Sequence, residues 1–186
     1  MSADNIVSFE SELLILVDKN DNELGWKSKA QCHDGDGILH RAFSIFIFDD
    51  NNRLLLQQRH GSKRLWPLYW SNSCCSHPRK GENNEIATQR RLKEELGFSA
   101  ELTYLYKFEY HARFGEKGSE HELCSVYIGR HNSDPKVNPT EIAAWKWVTA
   151  GELDDELKNN PESYSPWFKM EWKEIREKYW DKVERL

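Results

Sequence analysis

The chain has no run of about 18 apolar residues, so no stretch of it reads as a membrane-crossing helix. Its opening dozen residues, Met1 to Glu12, are polar and acidic and have no apolar signal core. It also lacks a basic excess. The net charge is −5, which argues against nucleic acid as the main partner while leaving room for a small anion held by a local basic cluster. Paired Cys-x2-Cys spacings are missing, so the usual signature of a zinc module is not there. No internal repeat and no low-complexity linker divides the 186 residues. These absences predict a cytoplasmic, single-domain protein covering 1–186, with a mobile segment over 1–12 and a monomer as the default state. In that compartment Cys32, Cys74, Cys75 and Cys124 are free thiols or metal ligands, not disulfides.

What is present is a core-forming chain rich in tryptophan. Eight Trp predict several in the core and one or two lining a pocket. Leu13–Val17 reads as a strand entering the polar turn 18–22. Residues 42–59 read as a hairpin around Asp49-Asp50-Asn51-Asn52. A loop runs from about His60 to Gly81, and Glu82 to Leu96 reads as a helix stopped by Gly97. Leu102–Tyr110, Leu123–Gly129 and Trp145–Val148 read as further strands. Ser165 and Pro166 then open a helix whose residues Phe168, Trp172, Ile175 and Tyr179 share one face. The order predicts an α/β (α+β) fold, with a mixed sheet between helices and a C-terminal helical extension.

The predicted central helix carries Arg90, Arg91, Glu94 and Glu95, paired at i, i+4. A charge run of this kind ordinarily reads as a solvated face. Its spacing says more: Ser76-x5-Glu82-x7-Arg90-Arg91-Leu92-x-Glu94-Glu95-x-Gly97-Phe98 resembles the Nudix box, whose glutamates bind a divalent cation on a diphosphate. Ser76 stands where that box has Gly, and Arg91 where it has Glu. Losing that carboxylate weakens the case for diphosphate cleavage and favours contact with a substrate phosphate.

Elsewhere, Asn72-Ser73-Cys74-Cys75-Ser76-His77-Pro78 places a thiol two residues before an imidazole. His33 and His40 flank a Gly-rich segment. In Glu120-His121-Glu122, if extended, the two carboxylates point one way and His121 the other. Three imidazoles and two carboxylates suit Mg²⁺, Mn²⁺ or Zn²⁺.

Together with Gly25-Trp26-Lys27-Ser28-Lys29, Leu39-His40-Arg41-Ala42-Phe43, Gln58-Arg59, Lys63, Trp66-Pro67, Tyr110 and Ser165-Pro166-Trp167, these segments resemble the type 1 isopentenyl-diphosphate isomerases. The resemblance spans nearly the whole chain. It implies a Nudix-like fold and an allylic isomerisation of a prenyl diphosphate, with no redox step and no bond to phosphate broken. Cys75 and Glu122 then match the catalytic acid–base pair, and Tyr110 a tyrosine bonded near that glutamate. His33, His40, His77, Glu120 and Glu122 match the ligands of a first divalent metal. Glu95 matches the ligand of a Mg²⁺ bound with the substrate diphosphate. Lys29, Arg59, Lys63 and Arg91 match the diphosphate contacts, and Trp167 an aromatic facing the carbocation. Two other readings compete: a Nudix hydrolase, and a binding module with a structural zinc.

Overall fold

The computed structural model describes residues 6–186; of the segment 1–12, residues 1–5 lie outside the described part. β1 (Leu13–Val17) pairs antiparallel with β2 (Glu23–Ser28), which runs into a short helix α1 (Lys29–His33). A capping box fixes that helix start, with Ser28 accepting from the Gln31 amide and Gln31 accepting from the Ser28 amide. β3 (His40–Phe48) and β4 (Leu54–Arg59) follow. The expected hairpin forms only at its turn. Asp49 accepts from the amides of Asn51 and Arg53, and Asn52 takes a positive φ of 55°. The strands pair at Phe48↔Leu54 and then part.

The loop from His60 onward explains the parting. It carries β5 (Trp70–Ser71) and β6 (Cys74–Ser76), neither foreseen from sequence, and enters between the two strands. Ser73 Oγ accepts from the Ile47 amide at 2.8 Å and donates to the Leu55 carbonyl at 2.6 Å. Asn72 Nδ2 reaches the Ile45 carbonyl at 3.3 Å, and Gln57 Nε2 the Ser73 carbonyl at 3.1 Å. Short polar side chains thus satisfy strand edges that hairpin pairing would have satisfied.

α2 (Asn84–Leu96) starts two residues later than expected, because Asn83 is its N-cap, accepting from the Ile86 amide at 2.9 Å. It ends as predicted at Gly97, with φ 79°. β7 (Leu102–Arg113) and β8 (Ser119–Arg130) run several residues further than the sequence suggested, and β8 lies parallel to the full length of β3. β9 (Ile142–Val148) pairs with β4. α3 (Ala150–Asn159) was not foreseen, although its capping box Thr149-x-x-Glu152 is legible. α4 (Pro166–Glu174) opens at Ser165 and Pro166 as expected, and passes through a π-helical turn, Ile175–Tyr179, into α5 (Trp180–Val183).

β3 is buried on both faces, which is why its sequence is almost continuously apolar. Phe43, Ile45 and Ile47 pack with Ala87, Leu92 and Leu96 of α2. Ala42, Phe46 and Phe48 share the opposite core with Trp167, Phe168, Trp172 and Ile175. Tyr179, the last residue of the predicted helical stripe, is half-buried and stacks on Tyr106 with centroids 5.2 Å apart. Among the described residues no helix is long and apolar enough to cross a membrane.

Candidate metal centre and reaction pocket

The sheet register gathers the predicted ligands. β3 and β8 pair His40 with Glu122, and the β alternation puts Glu120 on the same face of β8. His33 closes α1, and His77 follows β6. One ligand atom from each of His33, His40, His77, Glu120 and Glu122 lies within 4.8 Å of the others. The three imidazole centroids stand 4.9–5.5 Å apart. His121 turns away, as expected, to Glu109 Oε1 at 3.0 Å.

The electrostatics of this cluster fit a cation. His40 Nδ1 lies 2.6 Å from the Ile38 carbonyl, which makes it the donor nitrogen and leaves the Nε2 lone pair facing the cluster. His33 Nε2, His40 Nε2 and Glu120 Oε2 are buried without a hydrogen-bond partner, although His33 Nε2 and Glu120 Oε2 approach to 3.0 Å. Orphaned buried acceptors are costly, and a bound cation would satisfy all three at once. Burial, reinforced by the neighbouring His40 and His33, holds His77 well below the usual imidazole range, in the neutral form a metal needs.

Beside the cluster a recess of about 60 Å³ is lined by Cys75, Tyr110, Glu122 and Trp167. Adjacent residues of β6 face opposite ways. Cys74 is fully buried against Glu95 at 3.5 Å, and Cys75 turns to the recess. Burial pushes the Cys75 thiol up to about 12, against the pull of Arg59, whose Nη1 lies 3.8 Å from the sulfur. Burial also pushes Glu122 up, but the His40 imidazole 3.7 Å away and the hydrogen bond from Tyr110 prevail and hold it below the ordinary carboxylate range. The recess therefore sets a thiol made less acidic by burial beside a carboxylate made more acidic by its neighbours. Trp167 donates to Ser71 Oγ at 3.1 Å, and the Arg59 guanidinium sits 5.1 Å from its ring centroid.

The recess adjoins a larger cavity of about 790 Å³ bordered by Lys29, Arg59 and Lys63. Arg91 and Glu95 are 3% exposed, so this face of α2 is not the solvated one that its charge run suggests. Arg91 is bonded to Glu94, Glu95, Glu141 and the Val7 carbonyl. Arg90 holds Glu82 at 2.8 Å, joining the loop to the helix. Residues 7–12 cross this region: Ser8 Oγ accepts from Lys29 Nζ at 2.7 Å, and Glu12 pairs with Arg79. Two buried acids escaped the sequence reading. Glu141 follows Pro139-Thr140 in what reads as an ordinary loop, and Glu171 sits among helical residues; neither carries a sequence signal.

The split sheet and the helix with its buried charges are those of a Nudix-domain protein, and the NUDIX domain profile matches residues 38–168. A crystal structure of a Deinococcus radiodurans protein superposes with a TM-score of 0.66, covering 80% of this chain and 90% of that one at 23% identity. A MutT protein from Methanosarcina mazei superposes at 0.57 over 79% of this chain and 94% of that one, at 15% identity. Both likenesses are of fold alone. Among curated relatives, isopentenyl-diphosphate Delta-isomerase 1 of Photorhabdus laumondii is 43% identical over 92% of this chain and 99% of its own length. The isopentenyl-diphosphate Delta-isomerase of Serratia proteamaculans is 49% identical over 84% of this chain and 87% of its own. The chain belongs to the isopentenyl-diphosphate Delta-isomerase family.

Proposed function

We propose that this protein interconverts isopentenyl and dimethylallyl diphosphate by moving protons on and off carbon. One observation carries the reading: Cys75, with Arg59 Nη1 3.8 Å from its sulfur, and Glu122, bonded by Tyr110 at 2.6 Å, line the same small recess. An unactivated alkene is a very weak base, so its acid must be well placed and the site dry. The Cys75 thiol gives its proton to the terminal alkene carbon, leaving a thiolate beside Arg59 and a tertiary carbocation. Glu122 removes a proton from the neighbouring carbon on the other side, and exchange with solvent resets both groups. Tyr110 holds Glu122 in place, and the Trp167 face stabilises the cation, worth about 2 kcal/mol when desolvated.

His33, His40, His77, Glu120 and Glu122 would hold the first divalent ion, which supplies positive charge that fixes Glu122 and tunes its acidity. Glu95 would hold Mg²⁺ carried with the diphosphate, whose oxygens meet Lys29, Arg59, Lys63 and Arg91. Arg91, standing where the Nudix box has a carboxylate and buried among three others, supports isomerisation over hydrolysis.

The test is incubation with isopentenyl diphosphate in deuterated water. Deuterium enters the product methyl group, and Cys75→Ala stops it. Release of phosphate or pyrophosphate without isomerised product, or equal labelling by the variant, overturns the reading.

A further inference from the structure

The segment Leu65-Trp66-Pro67-Leu68 follows a strained path. Trp66 has a φ of 46° and Leu68 a φ of 64°, a region that favours glycine and that bulky side chains rarely adopt. Trp66 also precedes a proline, which ordinarily pushes a residue into extended backbone. Leu68 gains no burial there, since its side chain is 55% exposed. Strain of this kind persists only where the surroundings over-determine it.

The contacts that hold it lead to the reaction recess. The Trp66 carbonyl accepts from Arg59 Nε at 3.0 Å, and the Leu65 carbonyl accepts from Arg59 Nη2 at 3.0 Å. The Leu68 amide donates to the Arg59 carbonyl at 3.1 Å, and the Arg59 amide donates to the Tyr69 carbonyl at 2.9 Å. The turn therefore grips Arg59 by both backbone and guanidinium. It leaves Nη1 3.8 Å from Cys75 Sγ and the guanidinium carbon 5.1 Å from the Trp167 ring centroid. The Trp66 ring is buried behind Trp167, edge-on to it with centroids 5.3 Å apart, and packs on Phe114 at 5.1 Å.

Among the described residues Arg59 makes no ion pair, so the two carbonyls are what orient its guanidinium. Carbonyls suit that task. They accept hydrogen bonds without cancelling the charge, which stays available to the recess.

We propose that Trp66 is a positioning residue for the reaction: the strained turn it anchors seats the Arg59 guanidinium beside Cys75 and supports the Trp167 ring from behind. The inference rests on the isomerase reading above and adds to it a residue that stands outside the recess.

The turn can be disturbed from two sides. Trp66→Leu removes the ring from within. Leu68→Val acts from the exposed side, because a β-branched side chain tolerates a positive φ less well than leucine. Leu68→Gly adopts the same φ freely. The measurements are kcat and KM for isopentenyl diphosphate, and the hydrogen-exchange protection of the Arg59 Nε–H by NMR, which needs no turnover. Trp66→Leu should lower kcat about 30-fold and Leu68→Val about tenfold. KM should rise less than about fivefold in both, because Lys29, Lys63 and Arg91 still meet the diphosphate. Both variants should lose most of the Nε–H protection. Trp66→Phe keeps an aromatic edge on Trp167 and should recover kcat to within about fivefold of native. Leu68→Gly should keep native kcat and protection. Native kcat in both disturbed variants overturns the proposal, and so does a lowered kcat with the Nε–H protection intact. If Trp66→Leu does not fold, the Leu68 pair decides, since that side chain is exposed. If the native protein does not isomerise isopentenyl diphosphate, the underlying reading has failed, while the exchange measurement still tests the seat of Arg59.

Discussion

Tyr110 donates its phenolic hydrogen to Glu122 Oε2 at 2.6 Å, while the other oxygen of that carboxylate faces the histidines, 2.8 Å from His77 Nε2 and 3.7 Å from His40 Nε2. The two oxygens thus have separate surroundings, one toward the metal cluster and one toward the reaction recess. Burial and the adjacent Glu122 charge push the Tyr110 hydroxyl well above its usual range, so it stays a donor. Tyr110→Phe removes one hydrogen bond to a charged group, worth about 1.5–3 kcal/mol. The expected result is a kcat lower by roughly 10- to 100-fold, with KM changed less than about threefold. Metal stoichiometry stays native, because Oε1 is untouched. Loss of metal from the variant would show that the two oxygens are not separable in this way.

Glu171 gives a pH-dependent prediction. Its side chain is fully buried, with Oε1 3.6 Å from Cys124 Sγ and Oε2 without a partner. Burial pushes it up to about 8, with Glu122 adding to the shift and Ser44 and Cys124 opposing it. The folded value lies above the unfolded one, so the folded state holds this proton longer. The stability tied to it is present below the unfolded value and is lost as pH rises toward 8. Glu171→Gln removes that loss. Its thermal midpoint should exceed that of the native protein, and the stability difference should widen from pH 5 to pH 8 by on the order of 2–3 kcal/mol. A gap that does not change with pH would mean that Glu171 is already ionised at pH 5.

Gly118, the residue before β8, brings the chain against the backbone of His33 in the metal cluster. Its φ is 138°, and a Cβ built there would lie 2.2 Å from the His33 carbonyl oxygen. No flexible side-chain end is available to yield, so the backbone carrying His33 must move. Gly118→Ala should cost roughly 2–4 kcal/mol of stability. It should also weaken divalent-metal affinity at least about tenfold, since a supporting contact of a ligand has shifted. Native metal affinity with lowered stability would confine the effect to folding.

Much of this site was legible because the chemistry sits at rigid sequence offsets. Glu120 and Glu122 face one way because β8 alternates, and Cys74 and Cys75 diverge for the same reason on β6. Gly97 and Ser165-Pro166 mark helix ends by backbone preference alone. The hairpin over 42–59 failed because local pattern cannot show that Asn72 and Ser73, some twenty residues away, will take the strand edges. Glu141 and Glu171 were invisible for a related reason. Their significance lies in burial beside distant charges, Lys63 and Arg91 for one and Glu122 for the other, which no spacing encodes. Of the three carboxylates that hold Arg91, Glu95 was legible from its i, i+4 spacing on the helix, whereas Glu141 comes from a distant loop and gave no signal.

Chelation separates a catalytic metal from a structural one. His40, Glu120 and Glu122 are carried by β3 and β8, which pair along their whole shared length and pack between two apolar layers. That frame does not depend on a metal. Removing a bound divalent ion should leave the far-UV circular dichroism unchanged at 25 °C while abolishing turnover. Apolar burial keeps the sheet folded, but His33 Nε2, His40 Nε2 and Glu120 Oε2 are left as unsatisfied buried groups. An ion at a thousandfold excess over its dissociation constant adds about 4 kcal/mol to the folded state. For a chain of this size that corresponds to a fall in thermal midpoint of roughly 8–16 °C on chelation, reversed when Mn²⁺, Mg²⁺ or Zn²⁺ is restored. Cooperative loss of the circular dichroism signal on chelation would instead make the cluster part of the folding core, and the structural-zinc reading would then replace the catalytic one.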